Sequence, residues 1–285
     1  MIKFYRKHKN TILNLSIKKI YSYFFLNNFK KTGYFNHLKD LVFEFLKSKY
    51  PDYDKHEFEK RIYSIINNID NYQDLIGDLN TLFNPKFDDD LEFHYKYNET
   101  KIFFRFILYS INKDLISKKY SNIYDFGIAE IKKPLNILEI GGGIPHGFIF
   151  NVWKKEKSFF KNFVYVDADL LHSEFVRWYC EKLNVSHDIK LFAASKTPKL
   201  DEINFNFVFA KDIFEHLDAP EILIDYLISN TKNDETLLCL DLEHKGDKIG
   251  QHISPNLPVL KERLIKNDFE IIKKFGDIHI WKRKG

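Results

Sequence analysis

Cysteine is nearly missing from this 285-residue chain, with Cys180 and Cys239 as the whole complement. Two such residues exclude a disulfide-stapled scaffold and a cysteine-rich zinc site. Cys180 falls in a segment patterned as helix and Cys239 in one patterned as buried strand, so inert core roles are expected for both. Long apolar runs are also missing. The longest uncharged stretch, 140–153, holds three adjacent glycines and a proline. No membrane-spanning helix is expected from such a pattern. The first turns carry scattered charge and no small-residue cleavage site, so no secretory leader is read and a cytoplasmic protein is expected. Arginine is scarce, at 6 residues against 38 lysines. The guanidinium fork is the better reader of phosphates and base edges, so its scarcity speaks against a nucleic-acid partner. Glycine is almost absent from the first 125 residues, where only Gly33 and Gly77 occur.

Aromatic bulk, by contrast, is plentiful. With 28 Phe, 16 Tyr and 3 Trp in a chain that is 44% hydrophobic, a packed core is expected rather than disorder. Charge is uneven. Residues 1–50 hold eleven Lys and Arg against only Asp40 and Glu44, and the remainder is net acidic. Two readings of the basic segment stand side by side. Ile12, Leu13, Ile17, Ile20, Tyr21 and Phe24 beside Lys18 and Lys19 form an apolar face that suits peripheral membrane contact through residues 1–30. The same pattern suits a helix that packs on its neighbours and solvates its lysines, which is the ordinary reading.

The chain changes rhythm near residues 120–134. Before that point the period is helical. In 37–49, Leu38, Leu41, Val42, Phe45 and Leu46 fall on one stripe; 55–68 does the same with Phe58, Ile62, Ile65 and Ile66, and 100–117 repeats it. Asp88–Asp90 reads as a solvated turn and cap. After residue 134, short apolar runs alternate with helical segments: strands at 136–140, 163–166, 189–193, 205–210 and 236–242, then a pair at 269–275 and 278–282 around Gly276-Asp277. Helices are expected at 172–183, 220–229 and 257–265, the second opened by Asp218 and Glu221 in capping-box spacing. Trp153 and Trp178 are expected to pack helix on sheet. The fold class is therefore α/β: a Rossmann-like, mostly parallel seven-stranded sheet with a terminal antiparallel hairpin, preceded by an all-helical region. The expected division is 1–120 and 121–285.

In such a fold the ligand sits at the carboxyl ends of the strands. The first strand runs into Gly141-Gly142-Gly143, where a backbone without Cβ turns sharply and a following helix offers free N–H groups to an anion. Asp167 ends the second strand and can accept from two ribose hydroxyls. A dinucleotide fingerprint needs a third glycine where His146 stands, so that reading fails; His146 is expected to shape the loop instead.

Glu139-x-Gly141-x-Gly143 resembles the first motif of the class I S-adenosylmethionine-dependent methyltransferases. "FVYVDAD" is similar to that family's second motif, and "FNFVFAKDIFEHLDAP" to its fourth-strand motif. "QHISPNLPVLKERLIKNDFEII" is similar to its late His, helix and sixth strand. The likeness covers about 134–285, and "LEIGGG" alone adds an echo of bacterial sugar O-methyltransferases. Pro145 replaces the extended motif's third glycine. The third strand closes on Phe192-Ala193-Ala194-Ser195, without the acid that often meets adenine.

The resemblance implies S-adenosylmethionine as cofactor, held by Glu139, Gly141, Gly142, Gly143, Asp167, Ala168, Ala194 and Asp212. It implies His216, supported by Glu215, as the group facing the transferred methyl, with a neutral imidazole suited to taking a proton. Asp212, Glu215 and His216, joined by His244 or His252, could ligate a divalent metal, a reading not favoured from spacing alone. The expected function is methyl transfer to oxygen or nitrogen of a small molecule or glycan, with residues 1–120 covering the acceptor. Two other readings stay open: a degenerate fold acting as a binding scaffold, and an aminopropyltransferase-like enzyme using the loop at Lys211-Asp212.

Overall fold

A computed structural model describes residues 33–60, 119–193, 196–231, 235–242 and 257–285. The basic segment 1–30, the acid run Asp88–Asp90, the helix expected at 100–117 and the later part of that at 55–68 lie outside the described residues. Two compact units divide the chain, Met1–Gly77 and Asp78–Gly285, whereas the sequence rhythm placed the division at 120/121.

In the first unit, helix α1 spans Gly33–Lys49. It starts a turn earlier than its apolar stripe suggests, and Tyr34 extends the buried row of Leu38, Leu41, Val42, Phe45 and Leu46. The chain reverses through residues 50–54. The Asp54 carboxylate accepts from Glu57 N–H at 2.8 Å and so opens the next helical segment. That segment returns Phe58 to Phe43, with ring centroids 5.4 Å apart. Lys39 meets Glu59 at 3.1 Å.

The second unit is built on one sheet. Its strands are β1 (Leu135–Ile140), β2 (Phe160–Ala168), β3 (His187–Phe192), β4 (Phe207–Ala210), β5 (Leu237–Asp241), β6 (Phe269–Phe275) and β7 (Ile278–Arg283). Their spatial order is β3-β2-β1-β4-β5-β7-β6. The first five are parallel, and β7 enters antiparallel between β5 and β6. The central strands are covered on both faces, which is why they read as unbroken apolar runs. The edge strands β3 and β6 carry most of the solvent-exposed positions.

Helices cover the two faces: α2 (Lys119–Ile131), α3 (His146–Lys155), α4 (Leu171–Leu183), α5 (Pro220–Asn230) and α6 (Leu257–Lys266). On one face Leu138, Ile140, Val164, Val166, Val208, Leu238 and Leu240 pack with Leu223, Leu227, Leu260 and Leu264 of α5 and α6. Each such side chain contributes about 1.5–3 kcal/mol on full burial. The opposite face is aromatic. Phe148 of α3 stacks on Phe163 at 3.9 Å, and Tyr124 of α2 lies 5.0 Å from Phe207. Helix α2 approaches so closely that a Cβ at Gly127 would fall 2.4 Å from the Phe207 ring.

Two local expectations are corrected. Trp153 is 42% exposed rather than packed on the sheet. Ile149 and Val152 occupy the inner stripe of α3, and the next position turns about 100° away from it. Trp178 is half-buried, with Lys182 over its ring at 5.3 Å. Asp218 does not cap α5. Ala219 is the N-cap residue and Pro220 the first helical one. The Asp218 carboxylate instead accepts from Thr197 N–H and Thr197 Oγ1, both at 2.8 Å, while Thr197 Oγ1 accepts from Ala219 N–H at 2.9 Å. The loop after β3 is thereby tied to the loop after β4. Cys180 and Cys239 are buried on α4 and β5. Burial pushes the Cys180 thiol up to about 12 and the Cys239 thiol up as well, so neither is a reactive thiolate.

Candidate functional site

β1 delivers the chain to the carboxyl edge of the sheet at Gly141, whose N–H still donates to Val166 O at 2.8 Å. There the backbone turns with φ of +66° at Gly141 and +55° at Gly143. L side chains rarely adopt that region. Space decides as well. A Cβ on Gly141 would press on the Ile213 side chain at 2.6 Å, and one on Gly142 would fall 2.5 Å from Glu139 Oε1. The loop after β4 is therefore seated directly against the glycine turn through Ile213.

Strand pairing sets the carboxylates. Glu139 and Tyr165 are register partners, and Asp167 follows Tyr165 by two residues on the same face. That is the face covered by α2, and Tyr124 reaches from it to donate to Glu139 Oε2 at 2.8 Å. Glu139 is 2% exposed. Burial pushes its carboxyl up to about 8; the Tyr124 hydroxyl partly opposes this and the Asp167 charge adds to it.

Asp167 is the hub of the cluster. Its Oδ2 accepts from Gly143 N–H at 2.8 Å and from the Tyr165 hydroxyl at 2.7 Å, and Nε2 of His172 stands 3.4 Å away. Its Oδ1 accepts from Ala168 N–H at 2.7 Å. Burial alone would raise this carboxyl. The imidazole of His172, the Tyr165 hydroxyl and the Ala168 N–H outweigh it and hold Asp167 below the usual range. Tyr165 also hydrogen-bonds the Gly143 carbonyl oxygen. Burial, then the Asp167 charge, drives its phenol well above the ordinary tyrosine value. At the start of α3, His146 is buried, and burial lowers its imidazole to about 3.

Of the residues singled out in the sequence, Glu139, Gly141, Gly142, Gly143, Asp167 and Ala168 thus meet in one connected cluster. Asp212 lies next to it in sequence to Ile213, in the left-handed region at φ +48° and paired with Lys211. Strain of this kind in a non-glycine residue concentrates at functional loops. Glu215 and His216 form the following 3-10 turn, Glu215 buried and His216 half-buried. Ala194, His244 and His252 lie outside the described residues. Among the described residues no group of three or more His, Cys, Asp and Glu side chains is arranged to hold a metal ion. Tyr124, Tyr165 and His172 were not singled out from the sequence. For Tyr165 a signal existed, since a residue two before Asp167 in a strand must share its face. For Tyr124 and His172 only the folded helices bring the side chain in.

No family model matches the chain, and no curated protein matches it. Solved structures do. A methyltransferase structure from Bacillus halodurans is 18% identical over 52% of this chain and 68% of its own, with a TM-score of 0.38. Coclaurine N-methyltransferase bound to N-methylheliamine and S-adenosylhomocysteine is 13% identical over 54% of this chain and 48% of its own, with a TM-score of 0.37. The 16S rRNA methylase ArmA is 18% identical over 61% of this chain and 86% of its own, with a TM-score of 0.38. These likenesses concern architecture alone. The strand order, with β7 antiparallel between β5 and β6, makes the second unit a Rossmann-like α/β fold: a mostly parallel seven-stranded sheet closed by an antiparallel hairpin.

Proposed function

We propose that the chain is an S-adenosylmethionine-dependent methyltransferase acting on oxygen or nitrogen of a small molecule or glycan. One observation carries the reading: a glycine turn without room for Cβ atoms, bonded through Gly143 N–H to the Asp167 carboxylate and floored by the buried Glu139. These groups suit the cofactor's chemistry. Backbone N–H groups and the Glu139 carboxyl would meet the methionine end, Asp167 and Ala168 the ribose, and Ala194 and Asp212 the remaining walls. The bound cofactor would supply a methyl group on a sulfonium that leaves readily. The protein's contribution is then mainly alignment, which is where most of the rate of such a transfer arises. His216 is assigned as the base for a hydroxyl acceptor, with Glu215 beside it. Acceptor selection is assigned to residues 1–120.

Calorimetry with S-adenosylhomocysteine tests the cofactor. Wild type should bind, and Asp167→Ala should bind roughly 10–100-fold more weakly, the worth of one or two charge-assisted hydrogen bonds. No heat from the wild type at millimolar ligand would sink the reading. His216→Ala should lower kcat by about 10²–10⁴-fold with cofactor affinity unchanged. Loss of cofactor binding together with stability would make His216 structural. Acceptor screening should include RNA beside small molecules and glycans.

A second reading, a scaffold that keeps the fold without the chemistry, is favoured by one feature: both Asp167 oxygens already accept protein donors. It predicts no thermal shift with S-adenosylhomocysteine, whereas a ligand that binds only the native state must raise Tm.

A further inference from the structure

The crowding at Asp167 has a specific form. Oδ2 accepts the Gly143 N–H and the Tyr165 hydroxyl, with His172 Nε2 at 3.4 Å, and Oδ1 accepts Ala168 N–H. A ribose diol would bring further O–H donors to the same two oxygens. Oδ1, with one donor, has room for one hydroxyl; Oδ2 already holds two donors with His172 beside it, so a hydroxyl reaches Oδ2 only if something there moves aside, and the donors differ in what they can do next. The two backbone N–H groups are fixed by the loop and would be left bare in a buried place, each losing a hydrogen bond with nothing to replace it. The Tyr165 hydroxyl is different. Besides its contact with the Ser173 side chain, it has one proton and two oxygens that can only accept, the Asp167 carboxylate and the Gly143 carbonyl. Neither acceptor has a proton of its own to offer, because Asp167 is held ionised. Tyr165 can therefore satisfy only one of them at a time, and it can change between them by turning a single O–H bond. The ring itself is held. It is fully buried, and it lies 6.2 Å from the Phe163 ring at an interplanar angle of 24°.

We propose that the Tyr165 hydroxyl is an internal stand-in for a ribose hydroxyl: it donates to Asp167 while the site is empty and turns to the Gly143 carbonyl when a ribose takes its place. The inference rests on the cofactor reading given above and deepens it. Tyr165 is a positioning residue, acting on the ligand only through Asp167 and the glycine turn. In the resting state it keeps the ribose-binding carboxylate aimed and solvated by protein. In the bound state the same proton fastens the turn from its carbonyl side, so Gly143 is held whichever way the hydroxyl points.

The exchange has a cost that can be read. A hydrogen bond to a carboxylate is stronger than one to a carbonyl. The wild type therefore surrenders part of the value of the ribose hydroxyl that reaches Oδ2, and a variant without the phenol oxygen does not. The readout is the ratio of dissociation constants for the 2′,3′-dideoxyribose analogue of S-adenosylhomocysteine and for S-adenosylhomocysteine itself. Both are measured by calorimetry on wild type and on Tyr165→Phe. The ratio should be larger in Tyr165→Phe, by roughly fivefold, the worth of about 1 kcal/mol. A general loosening of the site weakens both ligands alike and leaves the ratio unchanged, and that result would overturn the proposal. A smaller ratio would overturn it too, since Tyr165 would then be aiding Asp167 while ribose is bound. Tyr165→Leu, which also lacks the hydroxyl but packs differently, should move the ratio in the same direction. Wild type that binds no S-adenosylhomocysteine removes the cofactor reading and this proposal with it, whereas wild type that binds with an unaltered ratio removes the proposal alone.

Discussion

Glu139 sets a pH dependence that no other residue described here shares. Folded, its carboxyl keeps a proton up to about pH 8, while the ordinary value is 4.5. Between those values the folded state binds one more proton than the unfolded state. Stability therefore falls as pH rises through this window, by up to about 1.4 kcal/mol per pH unit. His146 acts with the opposite sign. Its imidazole is lowered from 6.5 to about 3, so its contribution is complete above 6.5 and is lost as pH falls. Asp167, held below 3.8, adds to the loss at the acid end. The two histidine and glutamate slopes cancel between about 4.5 and 6.5, which predicts a plateau there and a decline on either side. Glu139→Gln keeps an oxygen for the Tyr124 hydroxyl and has no proton to lose. Urea unfolding at pH 5 and pH 8 should show wild type weakening relative to Glu139→Gln. Equal weakening of both proteins would place the effect elsewhere. At this scale the sequence was half legible. Glu139, Asp167 and the glycines stood out because their spacing is fixed by one strand and its turn. Tyr124 and His172 did not, because each sits on a separate helix and only packing aims it at a carboxylate.

Between elements, the decisive contact is Ile213 on Gly141. It joins the turn after β1 to the loop after β4, and Asp212 next to it takes a left-handed backbone. Gly141→Ala should cost about 2–4 kcal/mol, one part for a methyl group in a positive-φ position and one for overpacking against Ile213. Pairing it with Ile213→Gly, which removes the Cβ together with the γ and δ carbons that would stand 2.6 Å from the new methyl group, should return a large share of that loss. A purely additive double variant would mean that backbone strain accounts for the whole cost. The sequence gives no hint of this contact, since Gly141 and Ile213 are 72 positions apart. The misread cap has the same origin. Asp218 and Glu221 have capping-box spacing, but Thr197 supplies Asp218 with two donors from another loop. Strand cores were legible as apolar runs, whereas their ends were not: β2 runs through Lys161 and Asn162, which face partly to solvent and break the apolar signal.

Across the whole molecule, the alternation of strand and helix was enough to specify a mostly parallel sheet, and the Gly276-Asp277 turn to specify its antiparallel end. What the pattern could not reveal was position: β7 lies between β5 and β6, and β6 forms the edge of the sheet. That placement has a consequence for how the sheet is completed. Among the described residues β6 pairs with one strand, β7, which follows it in the chain, so a growing chain holds β6 without that partner until β7 exists. β7 is thus bonded on both sides, to β5 and to β6, and its Trp281 lies in the core with residues of α5 and α6, so β6 is held in the sheet through β7. Native-state hydrogen exchange should accordingly release the amides of β6 and β7 together, as one opening unit, ahead of β1 and β4. Protection of β6 that outlasts β7 would show that the strand is held from its other side.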